Sequence, residues 1–187
     1  VKELTVLYQG RELTTYVKDG VVIKTAPDAV SYLEGMDVTY LKAGDVVHLT
    51  ANLQGRVKSI EFIMRPDFTD YFENGISTAG IVGEDGQSEF VFGAAVGTYE
   101  SGIEIADGAG EIYDLDVNPK AFVYEITEGR READVEISGV GPKRVPVVRV
   151  PDSNYVGNRI SWDGMEEIPY VLARLSRGVV TDLIVIR

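Results

Sequence analysis

Apolar and polar residues alternate with a period of two through much of this 187-residue chain. The alternation is clearest in KELTVLY, DVVHLTANL, RVKSIEFI, DVEISGV and RVPVVRV, all rich in β-branched residues. Successive side chains of a strand point to opposite faces, so this pattern indicates half-buried strands. Glycine, aspartate, asparagine and proline separate the segments, as is typical of turns. The sequence therefore predicts an all-β fold.

An internal echo adds a second constraint. GRVKSIEFI at residues 55–63 is matched by GVVTDLIVI at residues 178–186, so that Val57 corresponds to Val180, 123 positions later. The apolar residues of both segments then fall on the same strand faces. One match of this kind can arise by chance between any two alternating strands.

Two further matches follow in the same order. Residues 37–53 resemble residues 159–175, and residues 16–35 resemble residues 113–129 at an offset of 94–97 positions. Ordered self-similarity favours an internal duplication over chance. The echo therefore predicts two related modules.

The fold class that we predict is two related small antiparallel β-barrel or sandwich modules, the second with an inserted hairpin or loop. The first module is expected at residues 1–65 and the second at residues 77–187, with the insertion near residues 130–158. Residues 66–76 are interpreted as a linker or a short helix. Surface insertions of this length cost little loop-closure entropy.

Two Asp-Gly pairs predict tight turns. KDGV at residues 18–21 and EDGQ at residues 84–87 each place glycine where a hairpin turn needs positive φ. We expect each turn to join two antiparallel strands.

Composition excludes several classes of function. Thirty acidic residues against eighteen basic ones give a formal net charge of −12, which repels nucleic acid and anionic lipid. No apolar run approaches the roughly 20 residues of a membrane-spanning helix, so no membrane insertion is expected. The chain has no cysteine, which excludes disulfides and thiolate metal sites and fits an extracellular protein of Gram-positive bacteria.

The residues give little indication of catalysis. His48 is the only histidine, which excludes a histidine-rich metal cluster and leaves one candidate base for a triad. No serine lies in a G-x-S-x-G turn. Carboxylate pairs arise by chance among thirty acids, so a glycosidase-like pair is kept only as an alternative. We expect a protein that is not an enzyme.

Calcium is the one metal that the sequence suggests. Asp114, Asp116 and Asn118 have the spacing of the first ligands of a twelve-residue calcium loop. The sixth position of such a loop is glycine, whereas here it is Pro119, in a segment with strand alternation. A turn with exposed acids is the competing interpretation, and no other cofactor is expected.

Aromatic residues offer a route to glycan binding. Most of the ten tyrosines occupy alternation positions that face a core or a cross-strand partner. Tyr155 and Trp162 lie in or beside the predicted insertion and are the candidates for stacking on a sugar ring.

The second module resembles a known kind of protein. The order AGIVGEDGQSEFVF, YDLDVNPKAFVYEI and RISWDGMEEIPYVLARLSRGVVTDLIVI is similar to the β-rich repeat regions of Firmicutes cell-surface proteins that carry S-layer homology domains. The resemblance covers most of residues 79–187 and, more loosely, residues 16–63. It implies a structural role in the cell envelope and no catalytic residues. The anchoring S-layer homology motif itself is not recognisable.

These observations predict a non-enzymatic structural or assembly protein of the bacterial cell surface, such as an S-layer-like array, a filament or a stalk. Its expected partners are other copies of itself, neighbouring surface-protein modules or cell-wall polysaccharide. The leading strand KELTVLY is a candidate for pairing with a neighbouring chain by strand addition. The alternative is a carbohydrate-binding module that recognises cell-wall or extracellular glycan.

Overall fold

The structure is a computed structural model, and it describes residues 2–26, 33–66, 81–82, 88–99, 101–108, 110–128, 146–149 and 169–186. The described strands are β1 (Lys2–Tyr8), β2 (Arg11–Val17), β3 (Ile23–Thr25), β4 (Val46–Ala51), β5 (Val57–Met64), β6 (Ile81–Val82), β7 (Ser88–Tyr99), β8 (Gly102–Ala106), β9 (Ile112–Glu128), β10 (Pro146–Arg149), β11 (Tyr170–Ser176) and β12 (Val179–Ile186). A 3-10 turn covers Val38–Tyr40. Within these ranges, no helix has the length and hydropathy needed to cross a membrane. The all-β prediction is confirmed.

The first five strands form an open sheet around β5. β2 and β3 pair with β5 in parallel, and β4 pairs with it in antiparallel fashion. β1 forms an antiparallel hairpin with β2. Backbone hydrogen bonds from residues 35 and 36 cover the outer side of β3. Among the described strands, this leaves β1 and β4 as the edges of the sheet.

Apolar side chains on one face of the open sheet form a buried cluster. Val17, Val57 and Ile60 are buried in one cluster, against which side chains of β1 and β4 also pack. The 3-10 turn adds Val38 to this cluster, and Asp37 caps the turn by accepting a hydrogen bond from the Thr39 amide at 3.0 Å. A second cluster holds Ile23, Leu33 and Phe62, and the two clusters together give the open sheet a core of its own.

Five of the remaining strands close into a barrel. β7 pairs with β11, β11 with β12, β12 with β9, β9 with β8, and β8 with β7, which completes the ring. The pairing of β12 with β9 is parallel and the other four are antiparallel. The barrel interior holds a buried apolar cluster that includes Val91, Ile105, Val171 and Val185. β6 and β10 extend the ring at β7 and β9.

The predicted barrel or sandwich modules are thus observed, with one addition. Each sheet contains parallel pairing beside the predicted antiparallel pairing. β10 lies within the segment expected as an insertion and pairs with β9. The rest of that segment, and residues 67–76 of the expected linker, lie outside the described residues.

The echo between β5 and β12 is confirmed in detail. The ladder between β4 and β5 skips Lys58, and the ladder between β11 and β12 skips Thr181. These unpaired residues are 123 positions apart, which is the offset read from the sequence. Val57 and Val180, next to the two bulges, are both buried. A bulge fixes strand register, so the two hairpins share their register from the pairs Val47–Phe62 and Val171–Val185 to the bulge. Beyond Val47, the ladder between β4 and β5 also skips Ile63, whereas the ladder between β11 and β12 has no second irregularity.

The two other sequence matches, which lie upstream of this one, have different offsets in the structure from those read from the sequence. β2 pairs with β5 at Val17, and β9 pairs with β12 at Val117, so these strands correspond at an offset of 100 rather than 94–97. Tyr16 and Tyr113, which the sequence match equated, point to opposite faces: Tyr16 is 50% exposed, whereas Tyr113 packs on the barrel core. A shift of three residues reverses strand faces, because the side-chain period is two. β4 corresponds to β11 at 124 residues rather than 122.

The predictions made for the two Asp-Gly pairs have different outcomes. The turn at Asp19 and Gly20 forms, with Gly20 at φ +81°, but it connects β2 to β3, which both run parallel to β5. It is therefore a bend along one edge of β5, and the hairpin prediction was wrong there. Residues 84–87 lie outside the described residues, but they connect β6 to β7, which are antiparallel as predicted.

One buried cluster joins the two sheets. Ile63 and Met64 of β5 pack in it with Phe92, Leu172 and Ile186 of the barrel. Ile63 and Ile186 correspond under the 123-residue offset, so equivalent positions of the two sheets meet in this cluster. The sheets are therefore packed face to face.

Glycine is required where β7 approaches β8. A Cβ on Gly93 would overlap the backbone carbonyl oxygen of Ala106, whereas a Cβ on Gly97 would meet only the end of the Glu104 side chain. We expect Gly93→Ala to lower the free energy of unfolding by about 2 kcal/mol, since the backbone must move. Gly97→Ala should change it by less than about 0.5 kcal/mol. Urea denaturation of both variants checks this, and equal losses would contradict the close approach.

Candidate functional site

A groove of about 860 Å³ lies between the edges of the open sheet. Residues 4–8 of β1 line one side of it, and residues 41–49, which include the first half of β4, line the other. Consecutive residues of a strand point to opposite faces, so a strand that lines a cavity with consecutive residues presents its edge. The groove therefore runs between two strand edges.

The outer face of the barrel forms the floor of the groove. Its apolar lining comes from Phe90, Tyr124, Ile126, Leu172 and Ile184. Side chains from the inner face of the open sheet also reach the groove, and Leu13 remains 40% exposed there. Phe90, Tyr124, Ile126 and Leu172 are themselves at most 8% exposed, so the apolar surface still open to an occupant comes mainly from side chains such as Leu13. Burial of such exposed apolar surface favours an occupant that displaces water from it.

Two of the acids that line the groove, Asp45 and Asp182, are paired with arginines, whereas Glu12 and Lys42 also bring charge to its lining. Asp45 receives two hydrogen bonds from Arg65, at 2.6 Å from Nε and 2.7 Å from Nη2. Asp182 lies 3.5 Å from Nη1 of Arg174 and accepts a hydrogen bond from the Thr181 hydroxyl at 2.9 Å. Charged groups that are paired in this way demand no charged ligand in return.

The tip of the β1–β2 hairpin is fixed to the barrel. Gln9 and Gly10 have φ of 47° and 73°, as a tight primed turn requires. The Gly10 amide donates a hydrogen bond to the Tyr124 hydroxyl at 3.2 Å, and the Phe122 ring packs beside Gly10. Burial raises the pKa of Tyr124 above its usual value, with the Gly10 hydrogen bond opposing part of the rise. The hydroxyl therefore stays neutral near pH 7.

The other end of β1 is fixed to the open sheet. Lys2 forms an ion pair with Asp37 at the start of the 3-10 turn. The hydrogen bond from Lys2, together with that from the Thr39 amide, lowers the pKa of Asp37 to about 2. β1 is thus held at both ends while one of its edges faces the groove.

Hairpin geometry identifies the backbone groups on that edge. Residues that flank a two-residue loop form a hydrogen-bonded pair, and such pairs alternate with non-hydrogen-bonded pairs along an antiparallel ladder. Tyr8 and Arg11 flank the loop, so Glu3, Thr5 and Leu7 turn their N–H and C=O groups away from β2. No described strand pairs with this edge of β1.

The predicted calcium residues lie elsewhere. Asp114, Asp116 and Asn118 occupy alternate, exposed positions of β9, and Asn118 accepts a hydrogen bond from the Lys120 amide at 2.8 Å. Same-face neighbours on a strand are about 7 Å apart. In the described part of the chain, no group of three or more His, Cys, Asp or Glu side chains is placed to hold a metal ion. Calcium binding stays a prediction.

The predicted glycan-binding residues, Tyr155 and Trp162, lie outside the described residues. Their stacking on a sugar ring stays a prediction.

His48 forms a cross-strand contact. Its Nδ1 lies 3.2 Å from Oε2 of Glu61, its register partner on β5. Glu61 is only 4% exposed, and its Oε1 has no hydrogen-bond partner among the described residues. An imidazole beside a carboxylate can serve as a base. Its position opposite its ladder partner favours a structural contact between β4 and β5.

Comparison with protein-family models, curated proteins and solved structures finds no match to this chain. The groove is therefore interpreted from its own geometry.

Sequence reasoning located one wall of the groove and missed the rest. KELTVLY is a strand as predicted, and one of its edges has no partner among the described strands. Its pairing with a neighbouring chain stays a prediction. The contact of Tyr124 with Gly10 was not predicted, because alternation predicts the face of a residue but not its partner on a distant hairpin. The Gln9-Gly10 pair between two alternating segments was an available signal for the hairpin.

Removal of the Tyr124 hydroxyl tests the contact at the hairpin tip. Tyr124→Phe should lower the free energy of unfolding by about 1 kcal/mol, because the Gly10 amide loses its acceptor. Tyr16→Phe, on the exposed face of β2, should change it by less than about 0.5 kcal/mol. Chemical denaturation measures both, and equal effects would exclude a role for the hydrogen bond.

Low pH tests the ion pair between Lys2 and Asp37 at the other end of β1. The folded pKa of Asp37, about 2, lies below the usual aspartate value of 3.8, so the stabilisation from its charge is present above about pH 4 and lost as the pH falls towards 2. Asp37→Asn keeps a capping oxygen but lacks the charge. The stability difference between wild type and Asp37→Asn should shrink from about pH 6 to about pH 2 in urea titrations. A difference that does not vary with pH would contradict the ion pair.

Lys2→Met is the matched variant for that experiment. Near neutral pH it should lose about as much stability as Asp37→Asn, and the double variant should lose little more than either. Additive losses would mean that the two side chains act independently.

Proposed function

We propose that this chain is a non-enzymatic structural and assembly protein of the bacterial cell surface, which contributes to an S-layer-like array, a filament or a stalk. The observation that carries the proposal is the groove, with the edge of β1 on one side, the edge of β4 on the other and an apolar floor. Exposed strand edges are templates for pairing with another chain.

The form of the groove favours assembly over chemistry. Its lining is mostly apolar, and the acids Asp45 and Asp182 are held in ion pairs. Main-chain groups at a sheet edge give affinity to an added strand, and pockets beside them give specificity. A binding mode of this kind joins proteins without a reactive group.

Composition and resemblance support a cell-surface location. The chain has no cysteine and a net charge of −12, which suit a soluble surface in an extracellular layer. The resemblance of residues 79–187 to β-rich repeats of surface proteins with S-layer homology domains supports the same assignment. Repeated modules convert weak contacts into an extended assembly.

A proline on the groove edge of β1 tests this function. Thr5→Pro removes an outward-facing N–H without removing a β1–β2 hydrogen bond, and proline is tolerated on edge strands. Thr5→Ala retains the N–H and serves as the matched control. We expect wild type and Thr5→Ala to associate with rising concentration and Thr5→Pro to stay monomeric, as measured by sedimentation velocity and negative-stain electron microscopy.

Circular dichroism and thermal unfolding of wild type, Thr5→Ala and Thr5→Pro are the control for folding. We expect all three proteins to be folded. Wild-type protein that stays monomeric, with no filament or sheet at high concentration and with or without calcium, would contradict self-assembly.

A further inference from the structure

The open sheet has the topology of the barrel with one strand missing. β5 corresponds to β12, β4 to β11, and β2 with β3 to β9, as the paired positions show. β1 corresponds to β8, since each is the antiparallel neighbour of that third element. The barrel has a fifth strand, β7, which pairs with both β8 and β11. No described strand takes its place between β1 and β4.

The groove occupies the place of the missing strand. In the barrel, β7 lies between β8 and β11, the counterparts of the two strands whose edges line the groove. β1 and β4 also run in the same direction, because β1 is antiparallel to β2, β2 is parallel to β5, and β5 is antiparallel to β4. One strand antiparallel to both would close the sheet, as β7 does in the barrel.

We infer that the groove receives an extended strand from a neighbouring protein chain, which pairs with β1 and β4 in antiparallel register and closes the first sheet into a second barrel. This inference rests on the proposed function and names the partner of the same site. Glu3, Thr5 and Leu7 of β1 supply backbone groups to the added strand. The groove is built for main-chain pairing rather than for a small ligand.

The surroundings of β7 indicate the chemistry of the added strand. Val91 and Ala95 of β7 face the barrel core, and Phe90 and Phe92 face the cluster between the sheets, so the middle of β7 is buried on both sides, while Val96 is 42% exposed. An added strand would likewise lie between the core of the open sheet and the barrel floor. Strands buried on both faces read as continuous apolar runs. The middle of the partner strand is therefore uncharged, with small residues such as those at Gly93 and Ala95 towards the core, whereas its ends can carry charge as β7 does at Glu89.

A peptide with the sequence of β7, SEFVFGAAVGTY, extended by a solubilising lysine pair at its end, is the probe. We expect saturable binding to the 187-residue chain in its monomeric form, measured by isothermal titration calorimetry. Hydrogen exchange should slow at Glu3, Thr5 and Leu7 when the peptide is bound. A control peptide with aspartate at the positions of Gly93 and Ala95 should bind at least about tenfold more weakly, because it would bury charge.

Two leucine variants give the matched control on the protein. Leu13 lines the groove and is 40% exposed, whereas Leu53 is fully exposed in a turn away from it. Leu13→Asp should weaken peptide binding by at least about tenfold, and Leu53→Asp should leave it unchanged. Thermal unfolding of both variants shows that each is folded.

The outcomes separate this inference from the proposed function. Peptide binding by a protein that does not assemble would support the groove and contradict self-assembly. Assembly that is insensitive to Leu13→Asp, with no peptide binding, would overturn the groove inference alone. Slow exchange at Glu3, Thr5 and Leu7 in the free monomer would also overturn it, since the edge would already be covered. Binding of an apolar dye in the groove, together with no binding of the peptide, would assign the groove to small ligands instead.

Discussion

Pairing of strand edges is the constraint on which the rest of this structure depends. Every strand carries backbone donors and acceptors on both sides, and each must be satisfied by another strand, by a side chain or by water. The second sheet meets this requirement by closing on itself through β8. In the described part of the chain the first sheet does not close, and its two edges flank the groove.

Packing between equivalent faces keeps the groove in place. Ile63 and Ile186 correspond in the two sheets, and both are fully buried in the cluster that joins them. The apolar run at the end of β5 is therefore explained by contacts on both of its faces, one towards its own core and one towards the barrel. Phe90, Ile126 and Leu172 of this cluster also line the groove, so the outer face of the barrel serves both as the contact with β5 and as the floor of the groove.

The strands, including the matching strands β5 and β12, could be predicted from sequence because they depend on local patterns. Alternation predicted the strands, and the 123-residue echo predicted that β5 and β12 share their strand faces. The bulge at the same place in both strands is evident only from the structure. The parallel pairing of β2 and β3 with β5 could not be predicted, since an Asp-Gly turn indicates a local bend and not which distant strand lies beside it. The groove was unpredictable for the same reason: it is defined by which strands do not pair.

Preorganisation follows from the way in which β1 is held. An isolated edge hairpin would lose much conformational entropy on binding a partner strand. Here the Lys2 ion pair fixes one end of β1, and the Gly10–Tyr124 hydrogen bond fixes the hairpin tip on the barrel. The closed barrel therefore acts as the rigid support of the open sheet. Among the described residues the two related sheets differ in one respect, since the barrel closes its own ladder and the open sheet leaves two strand edges beside the groove.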